Sequence, residues 1–200
     1  MSNDKMIQLQ QGLNAAFINA DLASNLAYKP QFISNNYKEG RKVLSSVEDE
    51  LLTCEEFSIS VAFITMSGIT PLLSILKELE DRNIPGKILT TDYLNFSEPK
   101  ALQKLAELRN IELKMYQAEE AHKGFHTKGY IFKKEEIYRI IVGSSNMTMS
   151  ALTTNKEWNT KIVSTENGEY VLDIVAEFED LWDSLYAQEY EDFIEQYKIR

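Results

Sequence analysis

Three short apolar runs separated by two helical stripes constrain this 200-residue chain more than any other feature. "FSISVAFIT" (Phe57 to Thr65), "KILTTD" (Lys87 to Asp92) and "IELKMY" (Ile111 to Tyr116) are short and rich in β-branched and aromatic residues, which suits strands. Between the first two, Leu72, Leu73, Leu76 and Leu79 recur at helical spacing after "SGITP". Thr70 is the expected N-cap there, with Pro71 at the first helical position. Between the second and third, a helix over 97–109 turns Leu102, Leu105 and Leu108 inward. Strand, helix, strand, helix, strand in that order implies parallel pairing through right-handed crossovers, and so an α/β fold. A helix over 38–53 precedes the series, with Val43, Leu44, Val47, Leu51 and Leu52 on one side.

After residue 116 the alternation stops. "FHTKGYIFKK" and "IYRIIVGSS" read as two strands of an antiparallel hairpin, joined by a short charged connection at Glu135–Glu136. A short helix is expected over 148–152, then a strand "NTKIVS". The clearest helix follows, with Val171, Ile174, Val175, Phe178, Leu181, Trp182 and Leu185 on one stripe. "QEYEDFIEQYKIR" reads as a further short helix or the start of a link. The expected organisation is an N-terminal extension over 1–37 that can form an interface, a domain over 38–188, and a tail or linker over 189–200.

The net charge is −10, which by itself argues against a nucleic-acid partner. The charge is uneven. The segment from Glu166 to Glu195 contributes −11 with no Lys or Arg, so the rest of the chain carries +1. Lys123, Lys128, Lys133, Lys134 and Arg139 crowd around one strand, so an anionic substrate stays open. Cys54 is the single cysteine and excludes an internal disulfide; a small core residue is its expected role. No apolar run reaches membrane-span length, and "MSNDKMIQLQQGLNAAF" lacks the basic-then-apolar order of a signal peptide. These features point to the cytoplasm.

The chain has two histidines, His122 and His126. In "GFHTKGYIF" His126 and Lys128 are two apart, hence on one face of a strand. Gly129 falls on the other face, where a missing side chain lets another element pack closely. A hairpin returns Ser144, Ser145 and Asn146 of "VGSSNMT" to the His126 end, and "TTNKEWN" supplies Glu157. These types suit phosphoryl transfer without a metal. An imidazole attacks phosphorus, a lysine offsets charge on the non-bridging oxygens, and amide and hydroxyl groups donate to them. A carboxylate fixes the imidazole tautomer. No His/Cys/Asp cluster has metal-ligand spacing, so no metal or other cofactor is called for. The same residues also read as a strand histidine, a snorkelling lysine and an ordinary turn with a helix cap, since a lone H-x-K is a weak motif.

The ordered combination "HTKGYIF…IIVGSSNMTMSALTTNKEWN" resembles the phospholipase D superfamily, whose motif is H-x-K, G-S-x-N and a downstream acid. It is most similar to the nuclease branch, including metal-independent restriction endonucleases and the N-terminal phospholipase-D-like domain of bacterial DEAD/DEAH-box helicases. The resemblance implies a mixed sheet flanked by helices on both faces. It implies His126 as nucleophile, Lys128 and Asn146 as the phosphate-binding pair, Ser144 as the motif serine and Glu157 as the acid that orients histidine. The fuller motif has an aspartate five residues after the lysine, where this chain has Lys133. The family mechanism uses two motifs and this chain carries one, so a homodimer with two copies of His126 across one site is expected. His122 is in the wrong context for a second motif. The implied function is a phosphodiesterase acting on DNA, linked to a helicase region past residue 200 or to a restriction-type protein. The alternatives are a silent DNA-binding or targeting module and, third, a phospholipid hydrolase, for which no basic amphipathic helix speaks.

Thr90, Thr91 and Asp92 end a strand where capping or a turn is their expected role. Tyr93 and Phe96 suit either base stacking or burial under a loop. Trp158 is expected to fix its segment by packing, and Trp182 to be core.

Overall fold

Alternate residues of each central strand face two different cores, because helices cover the sheet on both sides. Phe57, Ile59, Val61, Tyr130 and Phe132 point to one core; Ile131, Ile140 and Leu89 point to the other. This burial on two faces is why the strands read as near-continuous apolar runs. The computed structural model describes residues 3–7 and 27–199, and the expected N-terminal extension lies largely outside them.

Eight strands form one mixed sheet: β1 (Gln31–Ile33), β2 (Glu56–Val61), β3 (Gly86–Thr91), β4 (Ile111–Tyr116), β5 (Lys128–Lys134), β6 (Ile137–Gly143), β7 (Asn159–Thr165) and β8 (Ala187–Glu189). Their order is β1-β7-β6-β5-β2-β3-β4-β8. β2, β3 and β4 are parallel, as the alternation requires. β5 joins β2 antiparallel, with Val61 opposite Lys128, and β6 and β7 continue antiparallel. The helices are α1 (Val43–Thr53), α2 (Met66–Ile69), α3 (Leu73–Asp81), α4 (Pro99–Ala106), α5 (Ala118–Ala121), α6 (Met149–Thr153), α7 (Glu169–Trp182) and α8 (Tyr190–Ile199). α1, α3, α4 and α8 cover one face, and α7 covers the other.

Several elements lie differently from expectation. The helix after β2 begins earlier, at α2, and its cap is Thr65, whose side chain accepts from Gly68 N–H at 3.1 Å. Thr70 instead bonds back to the Met66 carbonyl, and Pro71 sits in a 3-10 turn before α3. Leu185 leaves the stripe: α7 stops at Trp182 and Leu185 is 97% exposed in the following turn. From sequence alone the domain closes at residue 188, but β8 extends the sheet beside β4, and Phe193, Ile194 and Tyr197 of α8 enter the core. Near the other end, β1 pairs with β7, so part of the expected extension belongs to the sheet. Cys54 is buried, at the end of α1 rather than within a strand, and burial pushes its thiol up to about 11.

Glu50 of α1 is buried against the sheet and pairs with Lys161 of β7 and with Arg139 of β6 at 3.6 Å. The buried side chain of Asn35 ties the chain before α1 to the α6 end: it donates to the carbonyls of Ala151 (2.8 Å) and Asn155 (2.9 Å) and accepts from Val43 N–H.

Gly86 of β3 leaves room for the Phe57 ring of β2. A β-carbon there would lie 2.1 Å from the buried Phe57 ring. Gly86→Ala is expected to lower the urea midpoint, costing about 1–3 kcal/mol for the forced shift. An unchanged midpoint would mean that the ring yields freely.

Candidate active site

Antiparallel pairing of β5 onto β2 brings several chain reversals to one end of the sheet. The C-terminal ends of β2, β3 and β6 meet there with the N-terminal ends of β5 and β7. Lys128 opens β5, Ser144 to Asn146 follow β6, and Glu157 precedes β7. Strand pairing thus collects the motif residues from 30 positions of chain onto one rim.

His126 lies two residues before β5, so the strand is shorter than the sequence pattern suggests. The Lys128 ammonium folds back and donates to the His126 carbonyl at 2.7 Å. The imidazole is exposed. Its neighbour is the Tyr93 ring, edge to face at 5.0 Å between centroids. Among the described residues no hydrogen bond reaches the imidazole. Tyr93 is therefore what limits its rotation. Tyr93 belongs to a loop anchored at both ends. Asp92 accepts from Ala118 N–H at 2.8 Å, and the Ser97 hydroxyl accepts from Ile64 N–H at 3.1 Å. Leu94 and Asn95 between them both adopt positive φ (56° and 51°), a strained pair of the kind found at functional loops.

Asn146 is oriented by a backbone donor. Its side-chain oxygen accepts from Phe63 N–H at 3.1 Å, which leaves the NH₂ as the group that can donate to a ligand. Ser145 is fully buried. The Tyr130 hydroxyl donates to its carbonyl at 3.0 Å, and the Asn159 amide donates to its Oγ at 2.9 Å. Burial pushes the Tyr130 phenol up, and the Glu157 charge adds to this, so it stays a neutral donor. Gly143 permits this turn: a β-carbon there would sit 2.2 Å from the Trp158 carbonyl.

The Ser144 hydroxyl donates to Glu157 and accepts from Trp158 N–H at 3.1 Å. Glu157 is thus directed at Ser144 and not at the His126 ring, where the orienting role would need it. The Glu157 charge also acts on Lys128. Burial holds the ammonium below the ordinary lysine range, and Glu157 pushes it back up.

Lys133, at the motif's usual aspartate position, is opposite Glu56 and over the Tyr138 ring. Five residues of strand, roughly 17 Å, separate it from Lys128, so this departure does not reach the rim. Gly129 does not receive a close neighbour: nothing lies within 4 Å of where its β-carbon would be. It opens onto an apolar cleft of about 160 Å³ between β5 and α7, lined by Thr127, Val142, Ile174 and Leu181. His122 is exposed and ends α5 in a left-handed conformation, away from motif geometry. Thr90 and Thr91 are buried and bond to backbone carbonyls, as structural residues. Tyr130, Asn159 and Phe63 carry no sequence signal for their roles: Phe63 acts through its backbone N–H, and Tyr130 and Asn159 act on the buried Ser145, which tertiary packing alone brings to them. Among the described residues no His/Cys/Asp/Glu group could hold a metal.

The mixed sheet, together with H-x-K and G-S-x-N meeting at one rim, defines a domain of the phospholipase D type. The family model described as "Cardiolipin synthase, PLD-like domain" matches residues 51–182, more than half of the chain. The chain belongs to that family, within the phospholipase D superfamily of phosphodiesterases. Comparison with curated protein sequences gives no match. Nuc from Salmonella typhimurium, a phospholipase D family member, has a similar structure, with a TM-score of 0.61 and 18% identity over 81% of this chain and 99% of its own. NucT from Helicobacter pylori gives 0.61 and 17%, over 78% and 96%. Phosphatidylserine synthase from Haemophilus influenzae gives 0.57 and 12%, over 80% and 39%.

Tyr93→Leu is expected to shift the ring resonances of His126 in an NMR spectrum, and Tyr93→Phe to leave them near their original positions. With two histidines in the chain, His122→Gln completes the assignment. Unmoved resonances in Tyr93→Leu would show that the imidazole is held by something else.

Proposed function

We propose that this chain is a metal-independent phosphodiesterase of the nuclease branch, acting on DNA through a phosphohistidine. The observation that carries this reading is the meeting of His126, Lys128 and Asn146 at one rim, with the Asn146 oxygen already committed to Phe63 N–H. The likeness in fold to Nuc and NucT supports the nuclease branch. Lys128 and the Asn146 NH₂ take the non-bridging oxygens of a phosphodiester, and Ser144 with Glu157 shapes the edge of that pocket. An imidazole nitrogen of His126 attacks phosphorus; the N–P bond forms as the P–O bond to the leaving oxygen breaks. The leaving oxygen needs a proton. We assign that donor to the partner's His126, across a two-fold axis that pairs two copies of the chain. Water then attacks phosphorus, releases the phosphomonoester and returns a free imidazole. The resemblance to helicase-linked domains supports a place for this chain as the nuclease module of a larger helicase or restriction-type protein.

A second reading is a phospholipase-D-like DNA-binding module without turnover. On its side is the Glu157 carboxylate, which serves Ser144 and leaves the imidazole without an acidic partner among the described residues. One assay separates the two. The proposed enzyme cleaves DNA in EDTA, and His126→Ala lowers the rate by about 10³-fold or more. Equal behaviour of the mutant and the original chain, with DNA still bound, would favour the second reading.

The Glu157 charge also sets a pH dependence. Glu157→Gln removes the charge that raises Lys128, so the ammonium is lost at lower pH as pH rises. The alkaline limb of kcat/KM is expected to move towards neutral pH in that variant. A limb that stays in place would remove Lys128 from the titrating role.

A further inference from the structure

We propose that the rings of Trp158 and Phe32 form a stacking site for an unpaired nucleobase beside the candidate phosphate pocket. The inference rests on the phosphodiesterase reading above and narrows its substrate to single strands or frayed ends.

Two large aromatic side chains stand in solvent here. Trp158 is 75% exposed and Phe32 60% exposed, and they touch edge to face at 5.9 Å. A pair of exposed rings presents apolar π-surface to solvent, which a flat aromatic ligand can cover. The pair is held stiffly. Phe32 is in β1, opposite Thr160 of β7. Trp158 is bonded on both backbone sides to Ser144: its N–H donates to the hydroxyl at 3.1 Å, and its carbonyl accepts from the Ser144 N–H at 3.2 Å. That serine is the one joined to Glu157. The platform is thus built into the pocket wall itself, one residue from the acid.

The surroundings favour a polyanion. A groove of about 780 Å³ runs along β1 beside Phe32, and its lining carries Lys29, Lys42 and an Arg41 paired with Glu39 at 3.2 Å, against Asp49. Lys156 is exposed just before Glu157. Backbone charge attracted to these cations and a base laid on the indole are the two components of single-strand recognition. Every base has a π-face, so the site tolerates any sequence. Bases inside a duplex are stacked on one another and offer no face, which excludes them.

The chain has two tryptophans, and Trp182 is 3% exposed, so quenching of emission reports on Trp158. The test uses the full chain carrying His126→Ala, so that strands are not cut. It is titrated with oligothymidine of roughly ten nucleotides, within the usual site size, and with an abasic strand of equal length and a blunt duplex. Oligothymidine is expected to quench Trp158. The abasic strand is expected to bind on the order of tenfold more weakly without quenching, as one lost stack implies. Trp158→Leu should bring oligothymidine down to the abasic level. Phe32→Leu, which keeps the fluorophore, should weaken binding and quenching together. Binding without quenching overturns the stacking site. So does a free protein in which iodide cannot reach Trp158, which would give the rings to a second copy of the chain. Cleavage by the original chain with Trp158 unaffected sinks this inference and leaves the nuclease reading standing. Absence of both binding and cleavage sinks both.

Discussion

The reversal of direction between β2 and β5 is the constraint on which the site depends. Were β5 parallel to β2, its start would lie at the far end of the sheet, and Lys128, with the Asn146 that the hairpin brings beside it, would be carried away from Phe63 and Tyr93. The antiparallel register sets Val61 opposite Lys128, and the following hairpin sets Gly129 opposite Val142. One change of direction therefore brings two loops, 117–127 and 144–158, to the rim already formed by the ends of β2 and β3. The parallel half supplies an edge; the antiparallel half delivers the motif residues to it.

Preorganisation at this rim comes mostly from backbone groups. Phe63 N–H turns Asn146, and Trp158 holds Ser144 from both sides. The Tyr130 hydroxyl and the Asn159 amide pin the buried Ser145 between them. Such donors are fixed before a ligand arrives, and a fixed dipole costs no reorganisation when charge develops. The imidazole is the exception. It is held by a ring contact alone among the described residues, which leaves it freer to move than its neighbours.

Much of this was legible in the sequence. The strands of the parallel half, the hairpin and α7 follow from periodicity, and the rim residues follow from motif order. Other features were hidden because their cause is tertiary. Thr65 and Thr70 are equally good caps by type; the choice was made by where β2 ends. Leu185 continues the α7 stripe in spacing, yet the chain turns at Trp182 to place β8 beside β4. The same pairing converts an apparent tail into sheet and core. Glu157 was visible as an acid near the motif, but its partner was not, since residue order alone does not say which side chain a carboxylate will meet. Exposure of Trp158 could not be read from sequence, where a tryptophan before a strand suggests core.

The route from α8 to the rim has a mechanical side. The Tyr197 hydroxyl donates to the Ser97 carbonyl at 2.8 Å, and the Ser97 hydroxyl receives Ile64 N–H at 3.1 Å. Ile64 bridges to Met147, the residue after Asn146. Three short links therefore join α8 to the turn that carries Asn146. These links bypass the pairing of β4 with β8, so α8 is joined to the Asn146 turn by a route separate from the sheet.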